Sequence, residues 1–165
     1  MTAQTYAALS APFRRSPAAL AVLRWGNKLL TLSCYLLYPA LLLWALLVRD
    51  PRLVRLVLVP GAAFLLVSVF RKACDSPRPY QVLDIQPLIP RDKQGESFPS
   101  RHVFSVFVIA MAWGYVCPPV GWALLAVGVL LAAARVVGGV HFPKDVIAGA
   151  AIGLCAGAVG FYLIP

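Results

Sequence analysis

The chain has two histidines, and each lies beside an arginine in a short polar break between apolar stretches. His102 closes the run Phe98-Pro99-Ser100-Arg101-His102. His141 comes six residues after Arg135 and four before Asp145. A third group, Arg71-Lys72 followed by Arg78-Pro79, precedes both. Two imidazoles, one acid and several cations suit the capture and cleavage of a phosphate. A phosphomonoester carries nearly two negative charges at neutral pH, so binding it takes several cations and N–H donors. Arg71, Lys72, Arg78, Arg101 and Arg135 are the candidate cations. The planar guanidinium fork grips phosphate oxygens two at a time. A helix starting near Ser100 adds free backbone N–H groups and the positive end of its dipole. Ser100 serves there as an ordinary N-cap, as a phosphate ligand, or as both.

His141 is the candidate nucleophile, since a neutral imidazole nitrogen can attack phosphorus and form a phosphohistidine. Asp145, one helical turn on, can reach back to fix its tautomer and balance the charge that develops. His102 is the candidate general acid for the leaving alkoxide, and then the base that activates water. Two histidines and an aspartate could hold a metal. The surrounding cations would repel a divalent ion, so neither a metal nor another cofactor is expected. The competing reading makes the histidines interfacial polar residues and the basic residues membrane anchors. It suits Lys28, Arg49, Arg52, Arg55 and Lys144. It suits the histidines poorly, because both occur with Arg135 and Asp145 at these spacings.

The elements that position these groups are apolar helices. Hydrophobic residues make up 61% of the chain and charged residues 13%, about half the charge of a soluble domain. Mean hydropathy is +0.80. Residues 29–48 form an uncharged run of bilayer length. Further spans are expected at 53–70, with Arg55 snorkelling outward, and at 100–117, 120–137 and 143–164. The reading is an all-α polytopic transmembrane bundle of about five spans, forming one membrane-embedded domain over 1–165. Residues 1–27 are expected to be an interfacial N-terminal segment with a short helix from Ser16-Pro17 to Trp25. Residues 71–101, punctuated by five prolines, are the expected active-site loop. Pro60-Gly61 is a candidate kink. Gly149, Gly153 and Gly157 mark either a close helix contact or simply an Ala/Gly-rich span. Alternating spans put the chain ends at Arg71, Ser100, Arg135 and Pro143 on one membrane face.

The formal net charge of +9 fits attraction to anionic lipid headgroups. Nucleic acid is not an expected partner, because no basic stripe alternates with exposed aromatics. Of the fifteen basic residues, all but Arg49, Arg52 and Arg55 fall on the motif face or the N-terminus beside it. By the positive-inside rule that face is cytoplasmic. The four cysteines lack Cys-x-x-Cys spacing and read as small apolar filler.

These motifs resemble the type 2 phosphatidic acid phosphatase (PAP2) family, which shares a superfamily with the vanadium haloperoxidases. The family pattern is a Lys seven residues before Arg-Pro, then Pro-Ser-Gly-His, then an Arg with His six residues later and Asp four beyond that. Here Arg78-Pro79, Pro99-Ser100-Arg101-His102 and Arg135/His141/Asp145 stand at the matching places. Three positions depart. Arg71 stands where the first Lys is expected, with Lys72 one residue late, so either can fill that role. Arg101 replaces the motif glycine, and Ala134 replaces the Ser that often precedes the third-motif Arg. The resemblance implies a metal-independent phosphatase in which the third-motif His is nucleophile, the Asp supports it and the second-motif His is the acid. It implies lipid phosphate substrates: phosphatidic acid, phosphatidylglycerol phosphate, or polyprenyl phosphates and diphosphates. It also implies a multi-pass protein of the cell membrane. A non-catalytic lipid-phosphate binder or transporter is the alternative, with the same cations gripping the headgroup only.

Overall fold

The computed structural model describes residues 1–90 and 94–164. Arg91, Asp92 and Lys93, which belong to the expected 71–101 loop, lie outside the described residues, as does Pro165. Among the described residues seven α-helices run in chain order: α1 Ala3–Arg15, α2 Pro17–Leu47, α3 Leu53–Cys74, the single turn α4 Pro79–Val82, α5 Arg101–Val116, α6 Pro118–Val137 and α7 Pro143–Ala158. A π-helical turn, Val159–Leu163, extends α7. Among the described residues there is no strand.

The stretches Pro17–Leu47, Leu53–Val82, Pro118–Val137 and Pro143–Leu163 are long and apolar enough to cross a bilayer. Their outer faces carry bare apolar side chains: Leu47, Leu66, Trp122 and Leu163 are each at least 71% exposed. Such faces are stable only against lipid. α5 has 16 residues, about 24 Å of helix, so it is shorter than the other four expected spans. It is also the most enclosed, with eight buried residues from Val103 to Ala112, and it sits between α6 and α7.

The glycine row explains how close α5 and α7 come. A Cβ on Gly149 would lie 2.6 Å from the Ser100 carbonyl oxygen, and one on Gly153 2.7 Å from that of Phe104. A Cβ on Gly157 would collide with Met111. Of the two readings of this row, close helix contact is the one found. It draws the start of α7, which bears Asp145, onto the start of α5, which bears His102. The Ser100 N–H donates to the Asp145 carbonyl at 2.8 Å across this joint.

The N-terminus differs from expectation in two ways. α1 is a separate helix, opened by Thr2, whose hydroxyl accepts from the Thr5 N–H at 3.2 Å. The expected short helix and the expected first span are one 31-residue helix, α2. Ser16 caps it, accepting from Ala19 N–H at 3.3 Å, and Pro17 takes the favoured first position. Arg24, Asn27 and Lys28 do not interrupt α2, because at i, i+3 and i+4 they share one face. At about 46 Å α2 exceeds the hydrocarbon thickness, so its first turns reach beyond it. Pro60 lies inside α3, which continues through it.

α1 and the loop after α4 brace the turn before His141. Tyr6, buried, donates its hydroxyl to the Gln86 carbonyl at 3.2 Å. Leu88 N–H donates to the Gly138 carbonyl at 3.0 Å. Gly139 has φ +75° and its missing Cβ would fall 2.6 Å from the Tyr6 hydroxyl. Only glycine meets both conditions without strain.

Candidate active site

His141 is 1% exposed and lies in the turn between α6 and α7. Burial lowers its pKa; Arg78 and Arg135 push in the same direction, while Asp145 opposes them. The imidazole is therefore neutral at pH 7. Its Nδ1 lies 3.6 Å from Asp145 Oδ2, too far for a hydrogen bond. Ser97 fills the gap. Its hydroxyl donates to Asp145 Oδ2 at 2.6 Å and lies 3.3 Å from His141 Nδ1. A hydroxyl has one proton, and here Asp145 takes it. Toward His141 the Ser97 oxygen can only accept, so Nδ1 carries the ring proton. The lone pair is left on Nε2. Asp145 Oδ2 also accepts from the Phe142 N–H at 3.0 Å, which fixes the carboxylate at the mouth of α7.

The loop that supplies Ser97 is held by the first motif. Arg71 and Arg78 are both 3% exposed. Arg71 Nη1 donates to the carbonyl oxygens of Ser97, at 3.4 Å, and Pro99. Arg78 Nε donates to the Gly95 carbonyl at 3.0 Å. Asp75 ends α3 in the left-handed region (φ 36°), and its carboxylate accepts from the Glu96 N–H at 3.1 Å. Ser97 N–H donates to the Ser76 carbonyl at 2.8 Å. Lys72, next to Arg71, is exposed.

Arg135 is 2% exposed at the last turn of α6. Ser100 occupies the N-cap position of α5 but makes no side-chain capping bond. Its fully buried hydroxyl has no hydrogen-bond partner among the described residues, which separates it from an ordinary cap. His102, half-buried, lines a cavity of about 610 Å³ together with Arg135 and residues of α2. His102 also lines a second, mainly apolar groove of about 450 Å³ between α2, α3 and α5, walled by Cys34, Tyr38, Pro60 and Phe64. Arg101 belongs to that groove: its guanidinium lies 5.8 Å from the Phe64 ring centroid, a cation–π contact.

Arg71, Arg78, Ser100, Arg135, His141 and Asp145 are thus buried around one junction, and His102 lines a cavity with Arg135. Lys72 is exposed, and Arg101 lies beside His102 in the apolar groove, close enough for its charge to act on Arg71. Ser97 is the residue that reading missed.

Buried arginines around a neutral imidazole, beside an amphipathic cleft in a bundle of apolar helices, are chemically suited to hold an anion. The chain belongs to the PAP2 superfamily, whose pattern it matches over residues 52–165. Undecaprenyl-diphosphatase BcrC of Bacillus subtilis is 31% identical over 85 residues, which cover 52% of this chain and 44% of that protein. The match therefore spans less than half the length of that relative. The crystal structure of Aquifex aeolicus LpxE superposes with a TM-score of 0.75 at 27% identity, covering 96% of this chain and 93% of that one. The first transmembrane PAP2-type phosphatidylglycerolphosphate phosphatase from Bacillus subtilis gives 0.68 at 23% identity, covering 95% and 83%; at that identity the likeness concerns the fold.

Proposed function

We propose that this chain is a metal-independent, integral-membrane lipid phosphate phosphatase of the cell membrane, and that residues 1–165 act as one catalytic domain. The observation that carries the reading is the buried His141, with its Nδ1 beside the Ser97–Asp145 hydrogen bond and the charges of Arg78 and Arg135 acting on its ring. In the first half-reaction Nε2 attacks phosphorus and the P–O bond to the lipid breaks. The leaving oxygen takes a proton from His102. Arg71, Arg78 and Arg135 neutralise the phosphoryl oxygens, with the Ser100 hydroxyl and the α5 N–H groups as further donors. In the second half-reaction His102 takes a proton from water, whose oxygen attacks phosphorus. The P–N bond breaks, and inorganic phosphate leaves.

The apolar groove beside His102 supports a lipid as the leaving group. Family membership and the likeness to an undecaprenyl-diphosphatase support phosphatidic acid, phosphatidylglycerol phosphate and polyprenyl phosphates or diphosphates as the substrate panel. Purified protein in detergent is expected to release phosphate from a short-chain member of that panel in excess EDTA, and vanadate is expected to inhibit it. Headgroup binding without phosphate release would instead make the chain a binder or transporter.

Ser97 gives a sharper test of the relay. Ser97→Ala is expected to lower kcat about tenfold or more, the worth of one hydrogen bond to a charged group, with KM little changed. A rise in KM at constant kcat would mean that Ser97 serves binding rather than the orientation of His141.

A further inference from the structure

α2 carries a stripe that the catalytic account leaves unused. Arg24, Asn27 and Lys28 share one face of its early turns, and all three line the 610 Å³ cavity that contains His102 and Arg135. Arg24 is anchored there, its Nε donating to the Leu88 carbonyl at 2.8 Å. Lys28 Nζ sits 5.0 Å from the Trp25 ring centroid. Asn27 has a buried amide oxygen with no hydrogen-bond partner among the described residues. Rotating that amide by half a turn would present its NH2 donors instead. The same face continues one and two turns on with Thr31 and Tyr35, which line both this cavity and the apolar groove.

We propose that Arg24, Asn27 and Lys28 form a second phosphate subsite, on the leaving-group side of the centre. The inference rests on the phosphatase reading and narrows its substrate panel to the members that carry a second phosphate, with the residues that would select them. If His102 protonates the leaving oxygen, the leaving group departs past His102. Two spaces meet at His102: a cavity over α2 whose wall carries Arg24, Lys28 and Arg135, and a mainly apolar groove between α2 and α3. A lipid monophosphate needs only the groove. Two cations and an amide in the cavity match a leaving group that itself bears a phosphate. Its sources are the inner phosphate of a prenyl diphosphate or the phosphodiester of phosphatidylglycerol phosphate. Cations at this depth are also common membrane anchors, but an anchor would affect every substrate alike.

The test is a comparison of kcat/KM in detergent for two matched pairs: farnesyl diphosphate against farnesyl phosphate, and phosphatidylglycerol phosphate against phosphatidic acid. In Lys28→Ala the ratio of two-phosphate to one-phosphate substrate is expected to fall about tenfold, as for loss of one charge-assisted contact. Lys28→Arg is expected to recover most of it. A fall confined to the prenyl pair assigns the subsite to diphosphates, and a fall confined to the phosphatidyl pair assigns it to the headgroup phosphodiester. Equal losses within both pairs, or unchanged ratios in both, would overturn the subsite. If the wild-type protein turns over none of the four, the phosphatase reading fails instead. Thermal stabilisation by inorganic diphosphate relative to phosphate then decides the subsite: Lys28→Ala must weaken the diphosphate effect selectively, or the subsite is rejected as well.

Discussion

His141→Ala is expected to lower phosphate release by at least about 10⁴-fold, since it removes the group that would form the covalent intermediate. Substrate affinity should survive in part, because Arg71, Arg78 and Arg135 supply the binding charge. A direct assay of vanadate or substrate binding separates the two effects. The wild-type pH dependence bears on the same residue. Burial holds the His141 pKa below that of a free histidine, which is about 6.5. The acid limb of kcat/KM attributable to the nucleophile therefore falls below that value. The linked stability has the same sign. A group whose folded pKa is depressed contributes its full stability above its unfolded pKa, and that contribution is lost as pH falls below about 6.5. Unaltered turnover in His141→Ala would remove the nucleophile assignment.

The second large effect sets Arg71 against its neighbour. Arg71→Ala is expected to cost about 10²-fold in kcat/KM, and Lys72→Ala no more than about twofold. The difference follows from position. The Arg71 guanidinium is buried and holds the Ser97 and Pro99 carbonyls. Losing it leaves those acceptors without their charged donor, at about 1.5–3 kcal/mol for a bond to a charged group. It also frees the loop that carries Ser97. Lys72 is exposed, and substitutions at such sites usually change stability by no more than about 0.5 kcal/mol. Kinetics of the two variants, with circular dichroism to confirm that both fold, decide the point. Equal losses would mean that the first-motif charge is shared.

What the sequence disclosed and what it hid divide along physical lines. The Arg135/His141/Asp145 group is local, and a helix that starts two residues after His141 turns the carboxylate four residues on back toward it. That geometry is readable from spacing alone. Ser97 lies 44 residues from His141 and 48 from Asp145. Nothing in its neighbours marks it out from other loop serines, and only the folded loop brings it between them. The only available signal is its place two residues before Pro99, within the stretch that Arg71 and Arg78 clamp.

The extent of α2 was hidden for a different reason. The expected short helix ends at Trp25 and the expected first span begins at residue 29, where the uncharged run starts. A polar face over a cavity looks the same in sequence as a break between helices. Arg101 shows a further limit: its motif position makes it a candidate phosphate ligand, and the contact of its guanidinium with Phe64 in the groove beside His102 could not be read from spacing. The glycine row of α7 was legible as a pattern, but its use against α5 required the partner helix.

We propose that phosphate passes through a covalent bond to His141. Acid-sparing, alkaline quench of the purified protein during turnover of a lipid substrate labelled in its terminal phosphate tests it most directly. The expected label is stable to alkali, released by acid, located on the peptide containing His141 and absent from His141→Ala. Steady turnover with no such label at any quench time, or a label that persists in His141→Ala, would contradict it.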